Sequence, residues 1–219
     1  AVSPFLTKRL AVLGLAGAIP IFNPVDEFFF SPAKKPPAND RFRFFTLARL
    51  DHLKGIDILL GAVSKMIEVN KNAEFIIGGT GAEFHKLKRQ AETLKITGHV
   101  TFLGELTRQQ ARDQFQLCNA FVLPSRHESQ GIVYTEAMAC GKPCIGTRCG
   151  GPEFLINDKN GMLVNPENIP ALADALLLMM QTYKHYDPEI IRDDFLRRFS
   201  FKTFASQLRP VYENVLRRR

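Results

Sequence analysis

Residues 120–145 read AFVLPSRHESQGIVYTEAMACGKPCI, and their pattern indicates the fold class. It opens with the apolar run Ala120–Leu123, continues as a polar loop, and then has helical spacing from Ile132 to Cys140, with Gly141 as a stop signal. A second apolar run, Pro143–Ile145, follows at once. A strand, a helix and a strand in this order predict a parallel βαβ unit, because two parallel strands need a crossover between them.

The same alternation extends over most of the chain from about residue 41. Further short apolar runs lie at Phe42–Leu47, Ala73–Ile77, Val100–Leu103 and Met162–Val164. Several of these runs do not alternate with polar residues, which is typical of strands buried on both faces. Segments with helical spacing separate them, so the sequence predicts an α/β fold with a Rossmann-like, doubly wound parallel sheet.

Three regions follow from this pattern. We predict a linker segment at residues 1–40, a Rossmann-like domain at residues 41–182 and C-terminal helices at residues 183–219. The linker prediction rests on Lys34 and Lys35 among Pro32, Pro36 and Pro37. The cluster Phe28–Phe30 is expected to pack on the sheet domain or on a partner domain. Helices are expected at Ala171–Met180, Pro188–Phe199 and Phe201–Leu216.

Composition and charge exclude several classes of protein. With 219 residues, 45% hydrophobic and 23% charged, the chain has the balance of a globular protein and not of a disordered one. The net charge is +7, and most of the excess lies between Arg192 and Arg219. An excess of positive charge concentrated in the C-terminal stretch argues against nucleic-acid binding, and favours a solvated helix face or contact with an anionic membrane.

Cysteine usage and hydropathy bear on location. No pair among Cys118, Cys140, Cys144 and Cys149 has the two-residue spacing of a zinc or redox motif, so free and mostly buried thiols in a reducing compartment are expected. The apolar stretch Leu10–Phe22 imitates a signal peptide but is interrupted by glycine and proline. No run reaches the ~20 apolar residues that span a bilayer. We therefore expect a cytoplasmic location, with peripheral contact to the inner face of the membrane as an option.

Two cations follow the first predicted strand of the sheet. Ligands of such folds bind at the carboxyl ends of the strands, where the sequence places Arg49 and Lys54. A guanidinium and an ammonium group at this position can hold one diphosphate. The alternative is that Arg49 pairs with Asp51 and that Lys54 is solvated.

The loop and helix after the fourth strand add an anion site and two carboxylates. Gly131 exposes backbone N–H groups at a helix N-terminus, where the helix dipole favours an anion. Glu136 is suited to the vicinal hydroxyls of a ribose, and Glu128 to the hydroxyls of a second ring. These groups together fit a molecule made of a sugar, a diphosphate and another sugar.

Other chemistries lack their motifs. The sequence contains no G-x-S-x-G elbow, no His-Glu-x-x-His helix, no Walker loop and no Asp-x-Asp pair. Gly78–Gly81 invites a dinucleotide-binding interpretation, but the third glycine of that fingerprint falls at Phe84. A tight strand-to-helix turn is the plainer interpretation.

The spacing of Glu128 and Glu136 resembles the E-x₇-E signature of the retaining group-one glycosyltransferases (family four). These enzymes have a GT-B fold, in which the second of two Rossmann-like domains holds most of the nucleotide sugar. Further stretches are similar to the family's motifs in the expected order: Asn23–Asp26 with Phe30 and Pro32, Leu47–Leu50 with Lys54 and Gly55, Gly79–Gly81, Val100–Gly104 and Gly150–Glu153.

The resemblance implies roles for individual residues. The catalytic group would be Arg49 and Lys54, which stabilise the departing nucleoside diphosphate, and Glu128, which holds the donor sugar. Nucleotide binding would fall to the N–H groups of Gly131, Ile132 and Val133, to Glu136 at the ribose, to Leu106 beside the base, and to the turn with Gly79 and Gly81. Transfer would retain the anomeric configuration, with no metal and no cofactor besides the nucleotide-sugar donor.

The resemblance also sets limits. The acceptor domain of such enzymes, with its catalytic histidine, is missing from these residues, so the chain resembles the donor half of an enzyme of cell-surface or lipid-linked glycan synthesis. Ser129 and Gln130 replace the usual Gly-Phe, so two extra polar side chains are available to donor-sugar hydroxyls. Two alternatives stay open: a GT-B epimerase or phosphorylase, and a non-enzymatic module that binds anionic membrane or RNA.

Overall fold

The computed structural model describes residues 1–35 and 40–217. Its strands are β1 (Phe42–Leu47), β2 (Ala73–Gly78), β3 (Val100–Gly104), β4 (Ala120–Val122), β5 (Cys144–Thr147) and β6 (Gly161–Val164). Its helices are α1 (Pro4–Val12), α2 (Ile56–Val69), α3 (Phe84–Thr93), α4 (Arg108–Leu117), α5 (Ile132–Ala139), α6 (Ile169–Thr182), α7 (Pro188–Phe199) and α8 (Phe201–Leu216). Short 3₁₀ turns occur at His52–Lys54, Gly151–Phe154 and Tyr183–His185.

The strands form one sheet in the order β3-β2-β1-β4-β5-β6, and each neighbouring pair is parallel. This order is that of the doubly wound Rossmann-like fold, so the predicted fold class is confirmed. The strand order reverses between β1 and β4. Loops leaving these two strands diverge to opposite faces of the sheet, and this opens a crevice at their carboxyl ends.

Aromatic side chains fill the layers on both sides of the sheet. Phe44 stacks on Phe75 with ring centroids 4.9 Å apart, and Phe45 meets Phe115 edge-on at 5.0 Å. All four rings are fully buried. Successive residues of β1 are therefore buried on opposite faces, which explains why this strand does not alternate with polar residues.

The N-terminal segment, predicted as a linker, contains the helix α1. Ser3 caps α1 by accepting a hydrogen bond from the Leu6 amide, and Pro4 occupies the first helical position. This Ser-Pro pair is a recognised start signal. The stretch that follows α1 contains Gly14 and Gly17, and glycine is also common in linkers.

The same segment also packs on the sheet domain. Val25 and Phe30 are buried in the core, whereas Phe28 is 87% exposed. Phe30 therefore packs on the sheet domain as expected, whereas packing of Phe28 on a partner domain stays a prediction. Pro36 and Pro37, and likewise Arg218 and Arg219, lie outside the described residues, and the three predicted regions stay predictions.

The cysteines are free and mostly buried, as expected. Cys118, Cys140 and Cys144 are free and buried, and Cys149 is free and half-buried. Burial raises the pKa of Cys118 and Cys140 to about 12.

Among the helices of the described residues, none combines the length and the apolar character needed to cross a bilayer.

Candidate functional site

A cleft of about 500 Å³ opens where the strand order reverses. The residues that follow β1 and β4 form its floor, and the start of α5 forms one wall. Its lining consists of Val2, Asn23, Leu47, Ala48, Arg49, Lys54, Leu123, Glu128, Ser129, Gln130, Gly131, Ile132 and Val133. Six of the ten sequence-predicted site residues therefore meet in one cavity: Arg49, Lys54, Glu128, Gly131, Ile132 and Val133.

The loop after β1 presents its two cations differently. Asp51 starts the 3₁₀ turn by accepting from the Leu53 amide at 3.0 Å, and it also pairs with Arg49, Nε to Oδ2, at 2.6 Å. The Arg49 side chain is 74% exposed. It can swing towards a ligand at little cost, because an exposed ion pair is worth less than about 1 kcal/mol.

Lys54 lies deeper and is paired with the carboxylate of the opposite loop. Its Nζ atom is 2.6 Å from Oε2 of Glu128, and both side chains are largely buried. The sequence left open that Arg49 pairs with Asp51 and that Lys54 is solvated. The first half of this alternative is present, whereas Lys54 is not solvated.

The start of α5 supplies backbone donors to the cleft. Gly131 has φ +88°, and a Cβ atom there would lie 2.6 Å from the Tyr134 ring, so only glycine fits at this helix entrance. In the described part of the chain, no oxygen accepts from the amides of Ile132 and Val133. Both amides belong to the first turn of the helix, whose N–H groups have no partner within the helix.

Glu136 lies one turn further along α5 and does not line the cleft. Burial raises the pKa of its carboxyl from 4.5 to about 7, and the Arg108 guanidinium offsets this effect only in part. Its predicted contact with a ribose stays a prediction.

The glycine turn after β2 and Leu106 also lie outside the cleft lining. A Cβ atom on Gly79 would lie 1.9 Å from the carbonyl oxygen of Ala48, and one on Gly81 would lie 2.4 Å from that of Leu50. These glycines therefore let two backbones approach closely, which supports the loop that carries Arg49. The Leu106 side chain packs on Gly78. Contacts of Gly79, Gly81 and Leu106 with a nucleotide stay predictions.

Gln130 has a structural role that the sequence did not indicate. Its side-chain amide accepts from the Asn23 amide at 2.9 Å and donates to the Asn23 carbonyl at 3.1 Å. The residue is only 3% exposed. Ser129 accepts from the Ser3 hydroxyl through its carbonyl at 2.5 Å. Gln130 thus holds the N-terminal segment against the cleft loop. Its side-chain oxygen and its second N–H group can each form one more hydrogen bond, and contact of Ser129 and Gln130 with sugar hydroxyls stays a prediction.

Arg126 joins the loops that flank the cleft, a role that no sequence motif indicates. Its guanidinium forms two hydrogen bonds of 2.8 Å with the carboxylate of Asp57. Burial alone would raise the pKa of Asp57, but the hydrogen bonds and charge of Arg126 hold it below its ordinary value. The two residues are 69 positions apart, so no local pattern connects them.

Acidic and sulfur ligands do not gather at one point in the described residues. No group of three or more His, Cys, Asp and Glu side chains there is placed to hold a metal ion. The expectation of a metal-independent site is a separate matter of mechanism and stays a prediction.

A parallel sheet in this strand order, with a cleft that holds Arg49 and Lys54 at the point of reversal, defines the class as a Rossmann-like α/β domain. Residues 27–188 match the family "Glycosyl transferases group 1", and the chain belongs to this family of enzymes.

Curated relatives agree with this assignment. The chain is 26% identical over 200 residues to a phosphatidylinositol N-acetylglucosaminyltransferase subunit of Arabidopsis thaliana, covering 89% of the chain and 43% of the relative. It is 31% identical over 168 residues to N-acetyl-alpha-D-glucosaminyl L-malate synthase of Bacillus anthracis, covering 75% and 43%. The chain therefore spans less than half the length of these relatives.

Solved structures share the fold. Sucrose-phosphate synthase from Thermosynechococcus elongatus superposes with a TM-score of 0.88 at 23% identity, covering 100% of this chain and 58% of that one. Anabaena HepE, solved in complex with UDP, superposes with a TM-score of 0.88 at 21% identity, covering 98% and 63%.

Proposed function

We propose that this chain is the donor-binding domain of a retaining glycosyltransferase of lipid-linked or cell-surface glycan synthesis. One observation carries the proposal: the Lys54–Glu128 pair lies in the same cleft as the first-turn amides of α5. A cation, helix N-terminal donors and a carboxylate within one cavity fit a sugar diphosphate better than they fit either half of it.

The diphosphate would bind between Lys54, Arg49 and the amides of Ile132 and Val133. Negative charge grows on the diphosphate as the glycosidic bond to the donor sugar breaks. Groups already aimed at that charge stabilise the transition state more than the ground state. In this role the two cations and the helix N-terminus serve the leaving group without requiring a metal.

Glu128 would change partners when the donor binds. Its carboxylate is paired with Lys54 at 2.6 Å. A diphosphate competes for the ammonium group, and Glu128 can then accept hydrogen bonds from hydroxyls of the donor sugar. Glu136 would bind the ribose, and the Leu106 backbone with the Gly79–Gly81 turn would flank the base.

The relatives support the pathway part of the proposal. The Arabidopsis relative belongs to a phosphatidylinositol N-acetylglucosaminyltransferase, and a Mycobacterium tuberculosis relative is named a GDP-mannose-dependent phosphatidylinositol monomannoside mannosyltransferase. The chain covers 43% and 50% of these two relatives. We therefore propose that an acceptor domain completes the enzyme, and that this chain alone binds the donor without transferring the sugar.

Thermal unfolding in the presence of nucleotides tests the proposal. UDP, GDP and ADP, each with and without EDTA, are compared with inorganic phosphate and with the free sugars. A nucleotide at a hundred times its Kd stabilises the fold by about 2.7 kcal/mol. We expect one base to give the largest shift and EDTA to leave it unchanged. No shift with any nucleoside diphosphate at millimolar concentration would refute the proposal.

Peripheral membrane contact is a further proposal for the same chain. Helix α8 carries exposed Tyr212, Val215 and Leu216 near Arg209 and Arg217, and basic residues near a membrane surface favour anionic lipids. Cosedimentation with anionic vesicles, lost at high salt and absent with neutral vesicles, is the expected result. Equal binding to both kinds of vesicle, or to neither, would contradict it.

A further inference from the structure

We propose that Arg126 is a positioning residue that sets the geometry of the Lys54–Glu128 pair. The inference deepens the proposed function and rests on it. Arg126 does not line the cleft, so it would act through the two loops that it joins and not by touching the ligand.

The guanidinium of Arg126 links three separate segments of the chain. It forms the paired hydrogen bonds with Asp57 in the first turn of α2, and Nη1 also donates to the His52 carbonyl at 2.7 Å. Nε donates to Glu167, in the turn before α6, at 2.5 Å. The Arg126 side chain is 13% exposed. A planar guanidinium held at all three nitrogens has one orientation, and this fixes the segments relative to one another.

The backbone of Arg126 also binds the loop that carries Lys54. Its amide donates to the Leu53 carbonyl at 2.8 Å. Arg126 thus holds the two residues before Lys54, and it lies two residues before Glu128. The loops also touch behind the pair, because a Cβ atom on Gly55 would lie 2.1 Å from the Pro124 carbonyl oxygen.

The consequence for the cleft follows from this arrangement. Lys54 and Glu128 come from different loops, and a pair of largely buried side chains at 2.6 Å tolerates little change in the spacing of those loops. Binding constellations lose affinity when the supporting residues let them move by a fraction of an ångström. Without the Arg126 bridge, the ammonium group of Lys54 would no longer be held at a fixed position relative to Glu128.

A double-mutant cycle on nucleotide affinity tests the inference. The dissociation constant of UDP, or of GDP if that binds more tightly, is measured by calorimetry for wild type, Arg126→Ala, Lys54→Ala and the double variant, well below each melting temperature. If Arg126 acts through Lys54, Arg126→Ala weakens binding about tenfold in the wild type and has little further effect when Lys54 is absent. A residue with only a structural role would give additive losses.

Two further variants guard the interpretation. Arg126→Lys keeps the positive charge without the fork and should bind about threefold more weakly than wild type, which covers the case in which Arg126→Ala does not fold. Arg43→Ala is the matched control, since Arg43 forms a partly buried ion pair with Glu74 at 2.6 Å near the start of β1, away from the cleft. It should lower the melting temperature and leave nucleotide affinity unchanged.

The outcomes separate the two proposals. Non-additive losses, with Arg43→Ala silent, support the positioning role. Three results would overturn the positioning role and leave the proposed function standing, provided that the wild type binds nucleotide. These are additive losses in the cycle, unchanged affinity in Arg126→Lys, and an equal loss of affinity in Arg43→Ala. Absence of nucleotide binding by the wild type overturns the proposed function and this inference with it.

Discussion

At the residue scale, the carboxyl of Glu136 links stability to pH. Its pKa of about 7 in the folded protein exceeds its ordinary value of 4.5, so the folded state binds this proton more tightly than the unfolded chain. The stability that Glu136 contributes is therefore fully present below about pH 4.5 and is lost as the pH rises through 7.

Glu136→Gln should remove this dependence. We expect the variant to gain stability relative to wild type between pH 5 and pH 8, by on the order of 2 kcal/mol at the upper end. Urea denaturation at four pH values measures it, and the exposed Glu105→Gln serves as the control. A constant difference between variant and wild type across this range would contradict the assignment.

Substitutions of Arg49 and of Lys54 should differ in their effect on stability but have similar effects on nucleotide binding. Arg49→Ala removes an exposed side chain and should change the free energy of unfolding by less than about 0.5 kcal/mol. Lys54→Ala leaves the largely buried Glu128 without its partner and should cost about 1 kcal/mol or more. Both should weaken binding of a nucleoside diphosphate about tenfold, as titration calorimetry would show. Unchanged affinity in both variants would show that neither cation binds the diphosphate.

At the element scale, the strand-to-helix turn after β2 depends on glycine for backbone packing. Gly79 has φ +114°, and a Cβ atom there would meet the Ala48 carbonyl oxygen at 1.9 Å. Gly79→Ala should therefore cost more than about 2 kcal/mol, or prevent folding, whether or not nucleotide is present. Gly98→Ala is the control, because nothing lies within 4 Å of its Cβ position. Thermal unfolding of the two variants decides the matter, and similar melting temperatures would refute this explanation of the turn.

The elements themselves could be predicted closely from the sequence, for a physical reason. β1, α7 and α8 have the predicted bounds, because buried unalternating strands and capped helices carry local signals. α1 has such a signal too, in Ser3 and Pro4, but the glycine-interrupted run that follows it obscured the helix. Local patterns thus identified the sheet and its order of elements, and were weakest where helix and linker share a composition.

The partners of polar side chains could be predicted much less well. The sequence placed Arg49, Lys54, Glu128 and Gly131 at strand ends, and topology then brings strand ends together. It did not show that Gln130 binds Asn23, 107 positions away, since such pairs form only through the tertiary fold. The same holds for Arg126 and its partners.

At the scale of the whole molecule, the N-terminal segment helps to line the cleft at the switch point of the sheet. Val2 and Asn23 line the cleft, and Gln130 fixes Asn23 through both of its backbone groups. Movement of residues 1–23 would therefore alter the loop that carries Glu128.

The proposed diphosphate site can be examined in a crystal structure of the chain with the nucleoside diphosphate that gives the largest thermal shift. We predict that the terminal phosphate lies within about 3 Å of Lys54 Nζ and of the Ile132 or Val133 amide, with the Lys54–Glu128 contact lengthened. A diphosphate bound elsewhere, or one that reaches only one of these two groups, would contradict the account.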